Sequence, residues 1–161
     1  MTDYRTGLGW DVHRLISGRP LILGGIEIPS ELGLEGHSDA DVLAHAVTDA
    51  VLGASALGDI GMHFPDTDPA WKGAGSLQFL ARACELARAA GFSILNVDAT
   101  VILESPKLRD YRQPLRESLA RTMSVALDRV SVKFKTAERL GPVGEGRAAE
   151  AQALVTLAKP D

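Results

Sequence analysis

Cysteine is almost absent from the sequence: Cys84 stands alone, so no internal disulfide can form, and a lone thiol fits a reducing compartment. Apolar runs are short, and none reaches the roughly 20 residues that span a bilayer. The opening Met1-Thr-Asp-Tyr-Arg5 also lacks the basic-then-apolar layout of a secretory signal. Together these absences lead to the expectation of a cytoplasmic protein without a membrane partner. Excess positive charge is missing too. Seventeen Lys and Arg against 21 Asp and Glu give a net charge of −4, which argues against broad electrostatic capture of nucleic acid. An anionic ligand would have to be met locally, by metal, lysine or backbone N–H groups. Internal repeats, low-complexity tracts and linkers are not found. What remains is 161 residues, 45% hydrophobic and 24% charged, the composition of one globular domain covering 1–161.

The apolar pattern predicts a strand over Arg5–Leu15, then two short strands within Pro20–Pro29 around Gly24-Gly25. Ser38 followed by Asp41 resembles a capping box, and Val42, Leu43, Ala46, Val47, Ala50 and Val51 continue at helical spacing. A loop rich in Gly, Asp and Pro is expected over Gly58–Gly75. A helix over Ser76–Ala90 would bury Leu77, Leu80, Ala81, Cys84 and Ala87. A strand over Ile94–Leu103, a helix beginning near Pro114, a strand through Val130, Val132 and Phe134, and a last strand over Ala148–Leu157 complete the reading. Each alternating strand has one apolar and one mixed face. That predicts an α+β fold, a mixed sheet with helices on one face and the other free for packing or ligand work.

Three segments carry candidate chemistry. In Asp11-Val-His13 the carboxylate and imidazole are two residues apart on a strand, hence on one face. On the first helix Asp41, His45, Thr48 and Asp49 form a polar stripe, which a mostly buried helix does not carry without partners. If that helix packs on the strand, Asp11, His13 and His45 make two imidazoles and a carboxylate with an open fourth position, the layout of catalytic zinc. The competing reading makes both histidines hydrogen-bonded core residues and pairs Asp49 with an arginine. Ser38, next to His37, reads as a helix cap, at a helix start that also suits a phosphate. Asp59, Asp66 and Asp68 read as turn residues, the first two also able to bind hydroxyls or a hard cation. His63 reads as a surface residue. Lys133 and Lys135 read either as protection of a sheet edge or, with Thr136 and Glu138, as a phosphate and metal clamp.

Taken in order, Gly9-Trp-Asp11-Val-His13-Arg-Leu, His37-Ser-Asp-Ala-Asp-Val-Leu-Ala-His45-Ala-Val-Thr-Asp49 and Gly58-Asp-Ile-Gly-Met-His-Phe-Pro-Asp66-Thr-Asp-Pro resemble one family. It is the 2-C-methyl-D-erythritol 2,4-cyclodiphosphate synthase family of the non-mevalonate isoprenoid pathway. The likeness extends to Pro106-Lys107-Leu108 and Lys135-Thr136-Ala-Glu138, and so along essentially the whole chain. In some bacteria this enzyme is fused to a cytidylyltransferase, for which the length leaves no room.

The resemblance implies conversion of 4-diphosphocytidyl-2-C-methyl-D-erythritol 2-phosphate to the cyclic diphosphate with release of CMP. It implies zinc on Asp11, His13 and His45, and magnesium or manganese on Glu138. His37, Ser38 and Thr136 would contact phosphate oxygens; Asp59, Gly61 and Asp66 would fix the methylerythritol portion. Pro106, Lys107 and Leu108 would lie by the cytidine, together with the segment from Lys135. The family assembles as homotrimers with active sites between subunits. Three departures stand out: a short Gly141–Gly146 turn carrying Glu145, Phe134 at a usually small position, and Ala137 without a polar side chain. The turn lies toward the trimer axis, where some members bind an isoprenoid diphosphate, and that ligand is not carried over. A phosphohydrolase using the same triad and a non-catalytic trimeric ligand-binding protein are the competing functions.

Overall fold

The structure, a computed structural model, describes residues 2–65 and 67–160. β1 (Asp3–Ser17) runs antiparallel to β7 (Ala148–Lys159), from Asp3 opposite Lys159 to Arg14 opposite Ala148. β7 pairs antiparallel with β5 (Ser93–Ile102), and β6 (Val130–Lys135) lies parallel to β5. β4 (Leu32–Leu34) pairs with the end of β1 and completes a mixed sheet of order β4-β1-β7-β5-β6. A parallel pair needs a crossover, and α4 (Arg112–Met123) supplies it between β5 and β6. β2 (Leu21–Leu23) and β3 (Ile26–Ile28) form a separate hairpin. Its turn residues Gly24 and Gly25 both have positive φ, 52° and 73°, as a tight hairpin turn of this kind requires.

The remaining helices are α1 (Val42–Ala54), α2 (Ile60–His63), α3 (Ser76–Ala89) and α5 (Gly141–Gly144). α1 packs on β1 and β7, α3 packs on α1, and α4 packs on β6. The expected α+β architecture is therefore present, with the three longer helices on one side of the sheet. The closest approach is set by two glycines on the inner face of β1. A Cβ on Gly7 would lie 2.1 Å from the Ala50 carbonyl oxygen, and one on Gly9 only 1.8 Å from that of Ala46. Small residues on both elements let backbone meet backbone. That contact places His45, one position before Ala46, over Asp11 and His13, which continue the same face of β1.

Several elements differ from the sequence reading for identifiable reasons. The N-cap of α1 is Asp41, not Ser38: the Asp41 carboxylate accepts from Ala44 N at 2.9 Å. It also accepts from the Gly24 and Gly25 amides at 2.9 and 2.7 Å, so the β2–β3 hairpin and the start of α1 share one buried carboxylate. β4, too short to show alternation, falls between the predicted elements. The expected loop over Gly58–Gly75 contains α2 and a 3₁₀ turn at Pro69–Trp71. In α3, Phe79 and Ala83 are buried with Leu80, Cys84 and Ala87, whereas Leu77 and Ala81 are only half-buried. Phe79 turns inward because Phe64 and Trp71 of the loop pack on it, with ring centroids 4.7 and 5.6 Å away. α4 starts at Arg112, two residues before Pro114. A proline is tolerated there because the first four helical N–H groups have no partner within the helix. His63 is half-buried rather than at the surface, its Nε2 lying 2.8 Å from the Leu57 carbonyl.

Among the described residues, none covers the second face of the sheet. Tyr4, Leu8, Trp10 and Val12 of β1 and Leu154 of β7 are exposed, Leu8 at 66% and Trp10 at 51%. Leu8 and Leu154 stand directly opposite one another. Among the described residues no helix is long and apolar enough to cross a membrane.

Candidate active site

β1 presents Asp11 and His13 toward α1, and α1 returns His45. Asp11 Oδ2 lies 2.9 Å from His13 Nε2 and 2.8 Å from His45 Nδ1; the two ring nitrogens are 3.2 Å apart. The ligating atoms of the three residues all lie within 4.8 Å of one another. The Glu35 carbonyl oxygen, which can only accept, lies 2.7 Å from His13 Nδ1. That nitrogen therefore carries hydrogen, and in the neutral ring Nε2 turns a lone pair toward Asp11 and His45. Electron-rich atoms brought this close repel unless a cation, proton or metal, lies among them. The donor set of two imidazole nitrogens and one carboxylate fits a divalent metal with a position left open.

The local electrostatics agree. Burial works to raise the Asp11 carboxyl, but the hydrogen bonds and positive charge offered by His13 and His45 outweigh it and hold Asp11 well below the usual carboxylate range. For His13 burial works downward, and the hydrogen bond and charge of Asp11 reverse it, so the imidazole is raised.

Two cavities of about 310 Å³ flank His45. One is bounded by Asp11, Asp49, Asp59, Ile60 and Gly61. The other is bounded by His13, His37, Ser38, Phe64, Trp71 and Phe79. Asp59 caps α2 by accepting from Met62 N at 3.0 Å. Asp49 accepts from Ile60 N at 2.8 Å rather than pairing with an arginine; burial raises its carboxyl, against that hydrogen bond. Thr48 donates to the Ala44 carbonyl at 2.6 Å, so the rest of the polar stripe is satisfied locally. His37 is exposed, whereas Ser38 is buried, accepting from Ala40 N at 3.2 Å and lying 3.3 Å from His45 Nε2. Asp66 lies outside the described residues.

Pro106, Lys107, Leu108, Lys135 and Thr136 come together elsewhere, around a cavity of about 140 Å³ that also touches Phe134. This cavity shares no lining residue with the two beside His45. Glu138 does not join the Asp11–His13–His45 cluster. It has positive φ (52°) and accepts from Thr136 Oγ1 at 2.7 Å. The amide of Ala137 donates to Glu104 at 3.2 Å. In the short 141–146 turn, Glu145 pairs with Arg147 at 2.7 Å. The two groups of candidate residues therefore line separate cavities of the chain.

Three residues that bear on the site went unmarked in the sequence. Arg19 donates to the Gly36 and Ser38 carbonyls at 2.6 and 2.7 Å and so fixes the His37 segment. Ser76, with its Oγ 2.8 Å from His45 Nε2, and Asp39, hydrogen-bonded to Ser76, stand behind the triad. All three act through tertiary contacts, which spacing along the chain does not encode.

A mixed α+β sheet that holds an Asp-His-His cluster between two cavities defines a protein with a candidate metal site beside room for a small ligand. Residues 4–158 match the model of the YgbB family. A 2-C-methyl-D-erythritol 2,4-cyclodiphosphate synthase of Solibacter usitatus is 68% identical over 159 residues, covering 99% of this chain and 100% of that one. The bifunctional IspDF of Campylobacter jejuni superposes with a TM-score of 0.96 at 42% identity, covering all of this chain; this chain spans 44% of its length. A 2C-methyl-D-erythritol-2,4-cyclodiphosphate synthase solved in a CDP-bound form gives a TM-score of 0.88 at 46% identity, covering 95% of this chain and 99% of the other. The chain belongs to the YgbB family.

Proposed function

We propose that this chain converts 4-diphosphocytidyl-2-C-methyl-D-erythritol 2-phosphate to 2-C-methyl-D-erythritol 2,4-cyclodiphosphate and CMP. The observation that carries the reading is the convergence of Asp11, His13 and His45 between two cavities, in a chain 68% identical along its length to a synthase of that name. The attacking group is the 2-phosphate, a monoester whose second pKa near 6 leaves it mostly dianionic at pH 7. It needs no general base. Its oxygen forms a bond to the β-phosphorus as the bond from that phosphorus to the CMP oxygen breaks, and CMP leaves as the anion.

The task for the protein is to bring anions together and hold them in line. Asp11, His13 and His45 would hold zinc and Glu138 magnesium or manganese, and these ions supply charge neutralisation and polarisation of the phosphate oxygens. His37 and Ser38 border the cavity beside His45 and would position the phosphates; Thr136 would do so from the separate cavity that it lines. Asp59 and Gly61 would hold the methylerythritol hydroxyls, with Asp66. Pro106, Lys107, Leu108 and Lys135 would receive the cytidine.

Separation of the two groups of residues within one chain supports a homotrimer in which neighbouring subunits complete each site. The exposed apolar face of β1 and β7 provides a surface of the kind that marks association. Incubation of the purified protein with the cytidyl substrate, followed by phosphorus NMR, tests the reading. A cyclic diphosphate with stoichiometric CMP, dependent on added magnesium or manganese and abolished by His45→Ala, is expected. Release of inorganic phosphate would identify a phosphohydrolase instead, and a folded protein that turns nothing over would identify a binding protein.

A further inference from the structure

We propose that Ser76 and Asp39 are positioning residues that fix the ring of His45 for metal binding, an inference that rests on reading Asp11, His13 and His45 as ligands. Ser76, the first residue of α3, is fully buried, so water cannot substitute for its partners. Asp39 engages it twice, accepting from its amide at 3.0 Å through Oδ2 and from its hydroxyl through Oδ1. Oδ1 also accepts from Asp41 N at 3.2 Å. A hydroxyl has a single proton. Since Ser76 donates that proton to Asp39, only lone pairs remain on Oγ to face His45 Nε2 at 2.8 Å. His45 Nε2 must then carry hydrogen. The Ser38 oxygen, 3.3 Å away, is a weaker second neighbour of the same nitrogen.

The consequence falls on the other side of the ring. With hydrogen held on Nε2, the neutral imidazole presents its lone pair at Nδ1, the atom 2.8 Å from Asp11 Oδ2 and 3.2 Å from His13 Nε2. The carbonyl of Glu35 does the same for His13. Both imidazoles are thus oriented from behind by acceptors, one of them a backbone carbonyl and the other a serine made acceptor-only by a carboxylate. Such outer partners typically contribute 10- to 100-fold in metal affinity. Asp39 also joins the segment leading into α1 to the start of α3, so the ring orientation is tied to the packing of two helices.

The test titrates the full-length apoprotein with cobalt(II), read by its visible absorption against a competing chelator. The wild type is expected to take up about one equivalent per chain. Ser76→Ala and Asp39→Asn are each expected to weaken binding by about 10- to 100-fold. Their combination should cost little more than either alone, because both act through one path. In the zinc-loaded protein labelled with ¹⁵N-histidine, the His45 Nε2–H signal is expected to be sharp and protected from exchange in the wild type and lost to exchange in Ser76→Ala. A purely structural role for Ser76 would not move that signal. Cobalt affinity within about threefold of wild type in both single variants, or an unchanged Nε2–H signal, overturns the positioning role while leaving the metal site standing. Failure of the wild type to bind cobalt at all removes the metal reading itself, and the positioning role with it. Should Ser76→Ala not fold, Asp39→Asn, which keeps the side-chain volume, gives the affinity comparison by itself.

Discussion

At the scale of single residues, the most consequential buried group outside the triad is Asp41. Its carboxyl is fully buried and accepts three backbone amides, yet burial dominates and pushes its pKa up to about 6. Between the unfolded value near 3.8 and about 6, the folded chain binds a proton that the unfolded chain has released. Stability therefore falls as pH rises through that window and is recovered on acidification. Asp41→Asn, which cannot ionise, lacks this dependence. Urea unfolding of both proteins from pH 4 to 7 should show the wild type losing roughly 2 kcal/mol relative to the variant; parallel curves would show that the three amides hold Asp41 ionised throughout. The comparison cancels the contributions of Asp11, lost below the usual carboxylate range, and of His13, lost as pH rises above the usual imidazole range. Cys84, buried in α3, has its thiol pushed up to about 12 by burial, so it carries little of the reactive thiolate at neutral pH.

At the scale of elements, the approach of α1 to β1 decides whether Asp11, His13 and His45 meet. Gly9→Ala would place a methyl group 1.8 Å from the Ala46 carbonyl oxygen, a backbone atom that cannot rotate away. The helix must shift, and His45 moves with it. A loss of about 3 kcal/mol in urea unfolding is expected, together with weakened zinc uptake by the soluble fraction. Full stability and full zinc content would mean that the two backbones are not held this tightly. The local pattern revealed more of these elements than of their junctions. Alternation along Arg5–Leu15 is enough to put Asp11 and His13 on one face, and helical spacing from Val42 puts His45 in a polar stripe, but that the stripe meets the strand depends on packing that neither pattern states. The cap escaped the pattern because Ser38 and Asp41 are both good capping residues. Only the hairpin amides of Gly24 and Gly25, far along the chain, favour Asp41. Likewise the burial of Phe79 follows from Phe64 and Trp71, which no periodicity within α3 announces.

At the scale of the whole molecule, the uncovered sheet face is what one chain leaves unfinished. Trp10→Asp introduces a charge opposite Gln152 and beside Leu154 without touching the inner face that carries Asp11 and His13. If the proposed homotrimer forms through this face, sedimentation is expected to show monomer in its place, with turnover lost while metal is retained. An unchanged trimer would rule out this face as the association surface. Pro106–Leu108 and Lys135–Thr136 show why the sequence left this level least defined. Their motif identifies them as a group, but the residues they would work with lie on another cavity wall, and no spacing within one chain states how two chains meet. Glu138, beside them and read as the ligand of a second, separate metal, lies outside the Asp11–His13–His45 cluster.

The pairing of β1 with β7 carries one more implication. Asp3 and Lys159 are cross-strand neighbours, so their Cα atoms sit on the order of 5 Å apart. The chain leaves the sheet where it entered, roughly 26 Å along β1 from Asp11 at the usual rise per residue. A polypeptide spliced onto either end would depart from the same corner, clear of both cavities beside His45. Reconnection of β1 to β7 at this corner by a short linker is therefore expected to leave the Asp11–His13–His45 cluster in place.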